Sequence, residues 1–123
     1  IMALTHSSSY LAMRLTQLVV MVAGSYYVIT GSLSSGGSRY HPGSSGYYYS
    51  SAGAQIGCLA GPSGADFDLY LEKWSGSRWT VVARSISSGS AESINYNGSA
   101  GYYSWRVTSY SGSGSYTFGL DRP

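Results

Sequence analysis

A chain of 123 residues is one domain's worth, long enough to bury a core of its own. Only 10% of the residues are charged, against roughly 25% in an average soluble domain, and the net charge is +2. So small a net charge is no argument for a nucleic-acid or anionic-membrane binder, while 15% aromatic residues exclude a disordered Gly/Ser linker.

Residues 1–28 differ in character from the rest. Leu11, Leu15, Leu18, Val19 and Val22 fall at helical spacing, yet Val19-Val20-Met21-Val22 suits a strand. The apolar run 15–23 is too short to span a bilayer. Arg14, that run and Ala23-Gly24-Ser25 have the layout of a signal peptide. We read the segment as structural, either packed on the domain or buried in a homodimer, because Leu15, Leu18, Val19, Val20 and Val22 should not be exposed together. The expected division is an apolar extension over 1–28 and a folded domain over 29–123.

From Tyr26 onward the pattern is short strands between Gly/Ser turns. Residues 26–30 read as one strand, 41–46 as a loop, and 47–50 and 54–59 as the next strands. Phe67, Leu69 and Leu71 alternate with Asp66, Asp68, Tyr70 and Glu72, the period of a strand with one buried face. Ser75-Gly76-Ser77 turns the chain into 78–83, so 66–83 is expected to be a hairpin central to the domain. Residues 90–96 form a strand, and Asn97-Gly98 a turn. Tyr103, Trp105 and Val107 share a face, and so do Tyr116, Phe118 and Leu120. Seven or eight strands with turns every 8–12 residues predict an all-β antiparallel sandwich of jelly-roll type. Cys58 is the only cysteine, which excludes an internal disulfide, and it reads as a small buried apolar residue.

Several stretches together carry a family likeness. They are Gly61-Pro62-Ser63-Gly64-Ala65-Asp66-Phe67-Asp68-Leu69-Tyr70-Leu71, then Trp74, Trp79, and Glu92-Ser93-Ile94 with Tyr96 and Gly98. Ala100-Gly101-Tyr102-Tyr103, Trp105-Arg106-Val107 and the run 110–117 complete the set. The chain from about residue 30 resembles the bacterial pre-peptidase C-terminal domain, in the version appended to secreted trypsin-like proteases of actinomycetes. The resemblance implies a jelly-roll sandwich that accompanies a secreted hydrolase. Some relatives bind calcium and fibrous protein, and residues 1–28 lie outside the likeness.

Three constellations are candidates for function. Tyr70, Trp74, Trp79, Tyr102 and Tyr110 cannot all be core if the strands alternate, and exposed rings stack on sugar faces or on side chains of protein polymers. Asp66 and Asp68, read as lying on one exposed edge, are the candidate metal ligands, with Ca²⁺ the ion their oxygens suit. That ion needs six to eight ligands, so backbone carbonyls or Asp121 would have to contribute. Low charge with abundant Ser, Gly and Tyr fits an extracellular protein. The expected function is therefore a secreted, non-catalytic accessory domain that binds polysaccharide or fibrous protein through aromatic rings, without nucleic acid, membrane or an obligatory cofactor. The alternative is a small hydrolase using acids near Asp66 and Asp68. Neither His6 nor His41 sits in a recognisable catalytic context, and His41 reads as a loop residue.

Overall fold

Strand-forming residues alternate with glycine- and serine-rich turns through most of the chain, and the computed structural model, described over residues 9–14, 17–21 and 25–123, contains strands and turns and no helix among those residues. Side chains are described from residue 27 onward. The strands are β1 (Ser9–Arg14), β2 (Gln17–Met21), β3 (Ser25–Leu33), β4 (Ser38–His41), β5 (Tyr48–Ser50), β6 (Gly53–Ala60), β7 (Asp66–Trp74), β8 (Trp79–Ser85), β9 (Ala91–Gly98), β10 (Gly101–Ser111) and β11 (Gly114–Arg122). β1 and β2 form an antiparallel pair. The expected boundary at 28/29 falls inside β3. Leu15 and Val22 of the apolar run lie outside the described residues, and with them the packing expected of that segment.

The remaining strands form two antiparallel sheets. One has the order β3-β11-β6-β9; the other has the order β4-β10-β7-β8, with β5 also paired to β10. Read along the chain, the pairs are nested. β7 pairs with β8, β6 with β9, β4 and β5 with β10, and β3 with β11. Successive shells of this nest alternate between the two sheets, which is the jelly-roll arrangement.

The core lies between the sheets and follows the period of two. Phe67, Leu69 and Leu71 of β7, Trp105 and Val107 of β10, and Phe118 and Leu120 of β11 are all fully buried. Tyr103 and Tyr116 join them, each by way of its ring. Cys58 is buried too, and that burial pushes its thiol up to about 12, so it stays protonated and unreactive at neutral pH. His41 is not a loop residue. It closes β4, is buried, stacks on Phe118 at 5.6 Å and shares a 2.7 Å hydrogen bond with Tyr116.

Candidate functional site

The outward face of the β4-β10-β7-β8 sheet carries the side chains that the core rejects. Trp74 ends β7 and Trp79 opens β8, directly opposite each other in the ladder. Their rings meet edge to face, with centroids 5.4 Å apart. The four-residue connection beneath them is tightly bonded. The Ser75 amide donates to the Arg78 carbonyl at 2.9 Å, and the Ser75 hydroxyl donates to the same oxygen at 3.0 Å. The two tryptophans therefore stand on a fixed turn.

Tyr47, just before β5, extends this pair. Its ring lies 5.9 Å from Trp79 on one side and 5.9 Å from Tyr102 on the other, and Tyr102 meets Tyr49 at 5.3 Å. The result is a continuous row, Trp74-Trp79-Tyr47-Tyr102-Tyr49. Tyr47 and Tyr102 are close to half exposed, and Tyr49 is more so. The 42–46 loop is tied down so that Tyr47 points this way. The Gly46 amide donates to the Pro42 carbonyl, and Ser104 of β10 donates to the Gly46 carbonyl. Gly46 has φ +78, and a Cβ there would lie 3.0 Å from that of Tyr40, so glycine is needed on both counts.

Tyr47, Trp74, Trp79 and Tyr102 line a cavity of about 330 Å³. A larger cleft of about 730 Å³ adjoins it, sharing Tyr47 and Trp79 and lined otherwise by Ser38, Ser44, Ser45 and Ser104, by Arg39, Tyr40 and Glu72, and by two loop glycines. The Glu72 carboxylate in this cleft is paired with Arg106 at 2.9 Å. An apolar, ring-lined stretch thus runs into a hydroxyl-rich one that also carries the Arg39 guanidinium.

The sequence candidates divide on this face. Trp74, Trp79 and Tyr102 come together, with Tyr47 and Tyr49 added. Tyr70 is half-buried and its ring is already covered by the Arg106 guanidinium, 4.1 Å from its centroid. Tyr110 is the most exposed aromatic residue among those described, but it lies beside Ser111, which pairs with Asp66 at the opposite end of β7. At strand spacing that is about 25 Å from Trp74. Tyr47 escapes a reading by alternation because it precedes its strand, so only the loop tie fixes its face.

The acids form a second constellation. Asp66 and Asp68 do not sit on an exposed edge: Asp68 is buried and Asp66 half-buried. The third member is Glu92 of β9, in the other sheet, and one carboxylate oxygen from each residue lies within 4.8 Å of the others. Glu92 is held by the hydroxyls of Ser85 and Ser87 and by the Ser87 amide. Burial, reinforced by the negative charge and hydrogen bonding of Asp66 and by the charge of Glu92, raises Asp68 to about 6. Asp121 lies elsewhere, on β11 opposite Ile56, and accepts a hydrogen bond from the Arg122 amide. An all-oxygen trio of this kind is suited to a hard cation. None of the three lines the aromatic cavity or the hydroxyl-rich cleft.

No protein-family model matches the chain. Solved structures share its fold. The mitogen derived from Yersinia pseudotuberculosis superposes with a TM-score of 0.64 at 18% identity, covering 80% of this chain and 86% of that one. The pre-peptidase C-terminal domain of the collagenase from Bacillus anthracis superposes with a TM-score of 0.63 at 20% identity, covering 77% of this chain and 88% of that one. The Aeromonas hydrophila periplasmic inhibitor of g-type lysozyme follows at 0.54 and 13%, covering 80% and 86%. The likeness to the pre-peptidase C-terminal domain is thus present at the level of the fold. A mitogen, a collagenase domain and a lysozyme inhibitor on one scaffold also mean that function must be argued from the side chains.

Proposed function

We propose that this chain, a jelly-roll sandwich with the fold of a pre-peptidase C-terminal domain, is the non-catalytic accessory module of a secreted hydrolase. It holds a polymer, polysaccharide or fibrous protein, against the row Trp74-Trp79-Tyr47-Tyr102-Tyr49. The observation that carries this reading is the row itself: five adjoining rings on one sheet face, bordering a cleft of serine hydroxyls. Rings held by backbone ties lose little freedom on binding, and each offers a flat apolar face to a pyranose or a proline ring. Among the described residues no helix is long and apolar enough to cross a membrane. Binding is favoured over hydrolysis because the acidic trio lies outside both clefts, away from where a polymer would rest.

The test is co-sedimentation of the protein with chitin, cellulose and collagen fibres. The parent is expected to sediment with at least one of them, and Trp79→Ala with Tyr102→Ala to remain in solution while keeping the parent's circular dichroism. A parent that stays in solution with all three would remove the reading. A double variant that binds as well as the parent would move the site elsewhere.

A further inference from the structure

We propose that Asp66, Asp68 and Glu92 bind one hard divalent cation, with calcium the best fit, which ties β7 of one sheet to β9 of the other. This is independent of the aromatic row. Two observations carry it. The first is the donor set: one oxygen from each of three carboxylates, all within 4.8 Å of one another, on strands from opposite sheets. Oxygens facing each other across a calcium ion at about 2.4 Å stand up to about 4.8 Å apart, so the three fit within its shell. The second is an unmet demand. Asp68 is only 6% exposed, and its Oδ1 is buried with no hydrogen-bond partner; the Oδ1 of Asp66 is in the same condition. Buried polar oxygens in a native fold nearly always have a partner.

Nothing described on the protein side supplies the missing positive charge. Among the described residues the one ion pair is Arg106 with Glu72, and neither belongs to the trio. Three carboxylates this close repel one another unless a cation or protons intervene. Glu92 is already aimed: Ser85 and Ser87 hold both its oxygens. Such outer partners orient a ligating carboxylate before the ion arrives. The surrounding backbone is fixed as well. Ser90 donates to the Ala65 carbonyl and accepts from the Phe67 amide, joining the 86–90 crossover to the start of β7. Water and backbone carbonyls would complete the six to eight ligands that calcium takes.

The full chain, stripped with a chelator, is titrated with CaCl₂ by calorimetry, and its melting midpoint is followed alongside. MgCl₂ and NaCl at matched ionic strength serve as controls. The expected result is one calcium per chain, a midpoint that rises with calcium and not with NaCl, and affinity weakened about tenfold or more in both Asp68→Asn and Glu92→Gln. The two variants perturb different sheets, so misfolding of one, seen by circular dichroism, leaves the other to decide. No heat and no midpoint shift up to millimolar calcium would overturn the proposal. So would calcium binding that both folded variants retain. If calcium is without effect and Asp68→Asn alone stabilises the stripped protein, a proton shared between Asp66 and Asp68 fills the site, and the proposal fails.

Discussion

Gly57 of β6 lies flat beneath the indole of Trp105: a Cβ added at Gly57 would sit 2.6 Å from Cη2 of that ring and 2.9 Å from Cε3. Trp105 is fully buried, tilted against Phe118 at 5.5 Å, and its indole N–H donates to the Tyr48 hydroxyl at 3.0 Å. Phe118 and Tyr48 hold the ring, and the face toward β6 is open only because residue 57 has no side chain. Gly57→Ala is therefore expected to lower stability by about 1–3 kcal/mol through overpacking. Urea denaturation followed by tryptophan fluorescence checks this; an unchanged midpoint would mean that the ring can retreat.

Leu69 and Leu71 are fully buried on the inward face of β7, in the middle of a sheet. Truncating either to alanine leaves a void that close-packed neighbours refill only in part, with an expected cost of about 2–5 kcal/mol. Val81 of the neighbouring strand is 43% exposed, and Val81→Ala should stay within about 0.5 kcal/mol of the parent. Similar losses at all three positions would contradict the assignment of faces.

For polymer binding the discriminating comparison is Trp79→Ala against Tyr110→Ala. Trp79 touches both Trp74 and Tyr47 within the row, whereas Tyr110 stands alone at the far end of the sheet. Loss of a central aromatic anchor typically costs at least about 2 kcal/mol of binding, roughly a thirtyfold drop. Tyr110→Ala should leave the isotherm on the bound polymer unchanged. Equal effects would indicate a ligand lying along the whole sheet.

His41 gives the protein a pH dependence of defined sign. Burial first, and then the positive charge of Arg39, hold its pKa below the usual 6.5. The unfolded chain binds a proton near pH 6.5 that the folded chain still refuses, so this residue's contribution to stability falls as pH drops below 6.5. Asp68, raised to about 6, works in the opposite sense, its share growing as pH falls below that value. The measurement is therefore a difference: stability against pH, in chelator, for the parent and for His41→Gln. The parent's curve should fall relative to the variant's below pH 6.5, and parallel curves would show that the buried imidazole does not titrate as described.

Alternation makes the core legible in the sequence. Period two puts Phe67, Leu69 and Leu71 on one face of their strand, and likewise Tyr103, Trp105 and Val107, and Tyr116, Phe118 and Leu120; each of the nine is at most 2% exposed. A sheet imposes that period on every strand it contains, so one face can be read from one strand. The sites were less legible because each depends on partners that the local pattern does not encode. Tyr47, Tyr48 and Tyr49 are identical in sequence; Tyr48 turns inward to bond Gln55 and Trp105, while its neighbours join the exposed row. Glu92 is buried beside Asp66 and Asp68 only because the 86–90 crossover brings β9 against β7. His41 reads as a loop residue next to Pro42, and its partner Tyr116 lies 75 positions away.

The nesting of the strands also governs when the aromatic row comes into being. Only the innermost pair, β7 with β8, is local in sequence; each outer shell must close a longer loop before its contacts are gained. Trp74 and Trp79 belong to that innermost hairpin, whereas Tyr47, Tyr49 and Tyr102 arrive with β5 and β10. The two halves meet only once β10 has zipped onto β7. The row is thus incomplete until that pairing has formed. A ligand spanning Trp79 and Tyr102 bridges the seam between those strands, so it must let go before the roll can open. Occupancy by any such ligand would then lengthen the lifetime of the folded state, and the module would be hardest to unravel while the row is filled.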